Sequence, residues 1–398
     1  MAGALQRLTV IDLSSHLSGP YCAMLLADQG ADVIKVEKPG GDEARGMPPF
    51  MRGESAPFMI WNRNKRSVVI DLKTEVGKAQ LLDLIDKADV LIENFRPGTL
   101  DRLGLGWPSL RERNPRLIYA AISGFGQTGP YRARGGFDLI TQGMSGLMSV
   151  CGPKEGPPHR LPIAISDVAA GMHLAVGILA ALEARHYTGQ GQLVETSLLE
   201  AALSLGVYEA AHVAATGGPP PRLGQAHRGS SPYQVFPTAD GWITVGAAQS
   251  NFWKRLCDLL AVPELKADAR FATNADRVRN NDALIALLEH RLREKPSAHW
   301  LALLDGAGIP AGPVLEFDQA MADPHIVARG MAVVTEHPAA GSLKTLGIPV
   351  KLSDTPGALR RPAPRLGEHT AEVLGSLNRD QQQAAWPTAI DGAFALFT

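Results

Sequence analysis

An alternation of strands and helices near the N-terminus is what most limits the fold of this chain. The β-branched run LTVIDL (residues 8–13) reads as a buried strand, and PYCAMLLADQG as a helix closing on Gly30. DVIKVEK follows as a second strand. The unit recurs as SVVIDL (67–72), a helix in TEVGKAQLLDLIDKA, and the strands DVLIENF (89–95) and RLIYAAISGF (116–125). Strands alternating with helices predict a parallel sheet covered on both faces. The first crossover lacks the glycine fingerprint of dinucleotide-binding folds, so no NAD site is expected.

Farther along, QLVETSLLEAAL reads as a strand running into a helix, and the Gly- and Pro-rich ATGGPPPRLGQAHRGSSP (215–232) as a linker. YQVFPTADGWITVGA has the pattern of a hairpin turning at Asp240 and Gly241. Helical patterns follow in NFWKRLCDLLAV and NNDALIALLEHRLREK, which together predict a smaller α+β domain. With 398 residues, more than one core is expected.

A formal net charge of −1 gives no overall field to attract nucleic acid or an anionic membrane. Cys22, Cys151 and Cys257 are widely spaced and odd in number, which predicts no disulfide framework and suits a reducing, cytoplasmic location. No signal peptide is expected from MAGALQRLTVIDL, and the apolar run 168–182 is read as too short to span a bilayer. No two histidines have helical metal spacing, so no metal site is expected. G-x-S-x-G is absent, and GMSG (143–146) lacks the setting of a nucleophile elbow.

The stretch RLPIAISDVAAGMHLAVGILAALEARHYTGQGQ (160–192) holds one carboxylate, Asp167, where an apolar helix begins. It can be an N-cap, accepting bonds from unpaired helix amides. Ser166 could do that work instead, and the small residues after Asp167 would let a substrate approach. A carboxylate there can act as a nucleophile and form acyl intermediates. Lys35, Lys38, Arg45, Lys65, Arg66, Lys73, Arg96 and Arg102 fall near strand ends or in the loops that follow. Open α/β sheets bind ligands along that edge, and an anionic ligand would suit it.

VIDLSSHLSGPYCAMLLADQGADVIKVEKPGGDEARG, WNRNKRSVVIDLKT, DVLIENFRPGTLDRLGLGW, DLITQGMSGLMSVCG, AISDVAAGMHLAVGILAALEARHYTGQGQ, GIPAGPV and LGEHT resemble class III CoA-transferases. That superfamily includes formyl-CoA transferase, carnitine-CoA transferase and α-methylacyl-CoA racemase. The likeness runs from residue 6 to about residue 375, and the tail LNRDQQQAAWPTAIDGAFALFT is given no role. It implies an interlocked homodimer of α/β subunits. In each, residues 1–215 begin a large Rossmann-like CoA-binding domain, 216–225 form a linker, 226–325 the small α+β domain, and 326–398 return to the large domain.

By the same resemblance Asp167 is the nucleophile. It attacks an acyl-CoA to give a mixed anhydride, and CoA thiolate then makes an aspartyl-CoA thioester that an acceptor acid reverses. Acyl-CoA and carboxylic acid are the substrates, with no permanently bound cofactor and no metal. CoA contacts map to Lys38, Ile70, Leu72, Lys73, Asn94, Phe95, Arg96 and Arg102. Formyl-CoA transferase has a lysine where Gly135 stands here, with Arg134 beside it as a substitute. Its shielding glycine-rich loop is replaced by HRGSSPYQVF, which argues against formyl-CoA and oxalate.

The racemase branch places a histidine before the aspartate of a G-x-D segment. Here the segment is Gly136-Phe137-Asp138, and phenylalanine cannot exchange a proton, which favours transfer over racemisation or epimerisation. Asp138 could orient substrate or hold structure. The small-domain pattern is similar to succinate/glutarate-type dicarboxylate CoA-transferases, which implies a donor such as succinyl-CoA, with His16, Arg45 and Arg228 as carboxylate partners. A CoA-binding protein without transfer activity is the remaining alternative.

Overall fold

The computed structural model describes residues 3–384; residues 385–398 of the tail lie outside the described residues. By contacts the chain divides into two compact units. Among the described residues, one comprises 3–145, 162–207 and 325–384, and the other comprises 146–161 and 208–324. Residues 146–161 and 208–215, read above as part of the large domain, cluster with the second unit.

The first unit is built on six parallel strands: β1 (Thr9–Asp12), β2 (Asp32–Glu37), β3 (Lys65–Val69), β4 (Val90–Glu93), β5 (Ile118–Ser123) and β6 (Leu193–Ser197). Their order across the sheet is β3-β2-β1-β4-β5-β6. The order reverses between β1 and β4, and a crevice opens beyond their carboxyl ends. In β1, alternate side chains serve opposite layers. Val10 packs with Cys22, Leu26, Ile92 and Leu174 on one face, and Ile11 with Ile34, Leu81, Leu91 and Leu110 on the other. The first layer is covered by α1 (Ser18–Asp28) and the second by α2 (Glu75–Ile85) and α3 (Trp107–Arg113).

Two helices then lead to the candidate site, the short α4 (Asp138–Met144) and the long α5 (Ile165–Thr188), followed by α6 (Leu198–Ser204). With 24 residues α5 exceeds the apolar run read from sequence, and by length and composition it could cross a membrane. Its packing is that of a core helix. Ala169, Ala170, Leu174 and Ile178 are buried, and a Cβ on Gly171 would lie 2.7 Å from the Ser18 carbonyl oxygen of α1. The small residues after Asp167 therefore serve close helix packing rather than substrate access. Met172, Val176, Leu179 and Tyr187, on the opposite face, are exposed.

The third strand begins earlier than the apolar pattern predicts. Lys65 opens β3 fully buried, its ammonium held by Asp12, so the strand starts with charges that sequence rhythm assigns to a loop. A hairpin of Ala332–His337 with Gly341–Leu346, not foreseen from HPAAGSL, adds Ala340 and Leu343 to a cluster around Phe58.

The second unit carries an antiparallel sheet of Tyr233–Pro237, Trp242–Gly246 and Ala311–Pro313. Its hairpin closes with the Thr238 N–H donating to the Gly241 carbonyl at 2.9 Å. Phe236, Trp253, Phe271 and Trp300 are buried in its core.

Candidate active site

The turn after β1 (residues 13–17) enters the crevice at the reversal point of the sheet. A Cβ on Gly19 would lie 2.3 Å from the Ser14 Cβ, so glycine lets this turn fold against the start of α1. Asn94, just past β4, clamps the turn: it accepts from the Ser15 N–H at 2.9 Å and donates to the Ser15 carbonyl at 2.7 Å. His16 has φ +62, and its N–H donates to Asp42 Oδ1 at 3.1 Å.

Beneath the turn lies a buried charge network. Lys35 Nζ meets Asp42 at 2.8 Å and the Ser14 carbonyl at 2.8 Å. Lys65 Nζ meets Asp12, the Pro20 carbonyl and Asn62, each at 2.8 Å. Burial pushes Lys65 down to about 8. Burial opposes the charge on Asp12 too, but Lys65 and Lys35 outweigh it and hold the carboxyl below its ordinary range. Both ammonium groups are fully buried and occupied by these oxygens, although Lys35 also lines the first of the cavities described next. Arg66 pairs with Asp32 and Glu372 at the amino end of β3, away from the crevice edge.

Two cavities open onto the crevice. The first, about 370 Å³, is lined by Lys38, Ile70, Leu72, Lys73 and Phe95, so five of the expected CoA contacts come together. Lys38 is exposed and paired with Glu43. Arg102 lines neither cavity; it bonds Thr99 at 3.2 Å, and Thr99, Leu100 and Leu103 of the same turn line the first cavity instead.

The second cavity, about 360 Å³, holds Asp167 together with Asn94, Phe95, Arg96, Arg134 and Phe137. A Cβ on Gly135 would lie 3.2 Å from an Arg96 guanidinium nitrogen, so Arg96 fills the space above that glycine. Arg134 instead lies over the Tyr131 ring at 4.7 Å. The cation over Gly135 is thus Arg96, with Arg134 farther along the wall.

Asp167 is not the N-cap of α5. That position is Ala164, which gives no side-chain bond, and Asp167 sits in the first helical turn. The cap comes from elsewhere: Asp138, the first residue of α4, accepts the Ser166 N–H at 3.0 Å and bonds the Gln142 amide at 2.8 Å. The Ser166 hydroxyl has no hydrogen-bond partner among the described residues. Burial, then the charge of Asp138, push Asp167 up to about 6, while a bond from the Ser18 hydroxyl pulls it back. At neutral pH the carboxylate is ionised yet poorly solvated, the state a nucleophile needs.

Of the other candidates, His16 lines both cavities. Arg45 donates twice to Glu37 at 2.7 Å and lines neither cavity. Arg228 belongs to the second unit, paired there with Glu209. Sequence reading passed over Ser15 and Ser18. The signal available was their place in the turn after the first strand of a doubly wound sheet.

The profile of CoA-transferase family III matches residues 5–370. The chain belongs to that family. Class III CoA-transferases it resembles include the acetyl-CoA:oxalate CoA-transferase of Acetobacter aceti, 41% identical over 93% of this chain and 95% of the relative. The human succinyl-CoA:glutarate CoA-transferase is 36% identical over 96% of this chain and 87% of its own length. A CaiB/BaiF family protein from Brucella suis superposes with a TM-score of 0.87 at 38% identity, covering 95% of this chain and all of that one. Membership makes the protein a transferase that uses CoA thioesters as substrates.

Proposed function

We propose that this class III CoA-transferase moves CoA from a dicarboxyl-CoA such as succinyl-CoA to a carboxylic acid through Asp167. The carboxylate attacks the thioester carbonyl and the C–S bond breaks, leaving a mixed anhydride and CoA thiolate. The thiolate attacks the Asp167 carbonyl, releasing the donor acid and forming an aspartyl-CoA thioester. The acceptor carboxylate repeats these steps in reverse. The observation that carries this reading is the pairing of a desolvated Asp167 with an adjoining cavity lined by Lys38, Lys73 and Phe95.

Arg96 and Arg134 beside Asp167 suit a substrate with a second carboxylate. The Acetobacter relative is an acetyl-CoA:oxalate CoA-transferase, which supports trying oxalate among the acceptors alongside glutarate. Phe137, 72% exposed at the cavity, offers no proton for racemisation. The exposed apolar face of α5 supports a homodimer as the working assembly. Borohydride or hydroxylamine trapping after incubation with succinyl-CoA tests the reading: label on Asp167 supports it, and a fully active Asp167→Ala variant ends it. Solvent deuterium entering the α-carbon of a 2-methylacyl-CoA without an acceptor would point to racemisation instead.

A further inference from the structure

We propose that His16 is a further catalytic residue, donating a ring N–H to the CoA sulfur as the thioester breaks and re-forms; this rests on the transfer reaction proposed above. The two cavities share three residues, Ser15, His16 and Phe95. A CoA chain that lies in the first cavity and presents its thioester to Asp167 in the second passes this seam, which brings these three residues near its sulfur. Phe95 has no donor. Ser15 is tied by its backbone to Asn94, which leaves its hydroxyl as the competing donor.

The backbone supports the same assignment. His16 stands at φ +62, a conformation that glycine takes freely and most side chains avoid. The turn keeps an imidazole there, locked by the N–H bond to Asp42, which Lys35 fixes at 2.8 Å. Side chains held in such sparsely used conformations cluster at functional sites, and this one lies where the two cavities meet.

The step balances without proton transfer. The Asp167 oxygen forms a bond to the acyl carbon, and the C–S electron pair departs on sulfur as thiolate. The imidazole N–H then stabilises charge that develops in the transition state, from a donor already in place. In the next step the held thiolate attacks the Asp167 carbonyl, and the donor acid leaves as carboxylate.

Glycine and asparagine both accept the left-handed backbone, so His16→Gly and His16→Asn test the side chain without disturbing the turn. In a single turnover with succinyl-CoA, His16→Gly is expected to release CoA about 10- to 100-fold more slowly, within the range of one lost transition-state donor. Its donor KM stays within about twofold of wild type, the sign that ground-state binding is untouched. His16→Asn, which restores an N–H donor, recovers part of the rate. His16→Gly at the wild-type rate, or a rise in KM with unchanged kcat, overturns the proposal. So does a loss of that size in Ser15→Ala while His16→Gly is unaffected. Trapping on the wild-type enzyme separates the two levels: an unlabelled Asp167 removes the reaction itself, whereas a labelled Asp167 with a fully active His16→Gly removes only the role of His16.

Discussion

The Asp138 carboxylate accepts the Ser166 backbone N–H at 3.0 Å, one residue before Asp167. One acid thereby fixes the helical turn that carries the other, and its charge helps raise Asp167 to about 6. Because attack requires the ionised form, turnover is expected to rise with pH through about 6. In Asp138→Asn the amide oxygen still accepts from Ser166, but the neighbouring charge is gone. The acid limb of kcat/KM then moves to lower pH, and a limb left in place would break the link between the two acids.

Asp167 is held against its own ionisation. Its folded-state pKa is raised, so the penalty is fully present above about 6 and absent below the ordinary value of 3.8. A shift of about two units corresponds to about 3 kcal/mol, which partial exposure reduces to roughly 1 kcal/mol. Asp167→Asn is expected to be inactive in acyl exchange yet more stable than wild type at pH 7. Urea unfolding should show that gain vanishing as pH falls toward 4.

Lys65 is fully buried with three oxygen partners. Lys65→Met leaves Asp12 facing one cation, Lys35, and takes a donor from Asn62 Oδ1 and from the Pro20 carbonyl. We expect a loss of about 3–5 kcal/mol, the range for breaking a buried ion pair. Adding Asp12→Leu should return part of that stability in a double-mutant cycle, whereas strictly additive losses would mean the two groups act separately.

Gly124→Ala tests the wall of the Asp167 cavity. A Cβ there would lie 2.7 Å from the Gly136 Cα, a backbone atom rather than the end of a flexible side chain. The expected cost is about 1–3 kcal/mol in stability, as for other overpacked positions. A fall in kcat/KM should accompany it, because Phe137 adjoins the displaced chain.

Much of this was legible in the sequence because it is written in local pattern. β-Branched runs and the helices between them gave the parallel sheet, and the motif run around Asp167 singled out the nucleophile candidate. What escaped depends on partners distant in sequence. Lys35 and Lys65 read as cations of the ligand-binding edge, since nothing nearby reveals that Asp42 and Asp12 close over them. The cap of α5 was sought in Asp167 or Ser166, yet it comes from Asp138, 28 residues earlier. Arg96 over Gly135 was likewise invisible, being a contact across 39 positions that only folding creates.

The approach of Gly124 to Gly136 carries one last implication. Where these two glycines meet, the cavity wall is bare main chain, and mutational drift has no side chain there to enlarge or trim. Lineages that share this scaffold but diverge in the acid they accept must write that divergence in the side chains of the lining, at positions such as Leu17, Met47 and Phe137. A search for substrate-switching variants should begin with those three.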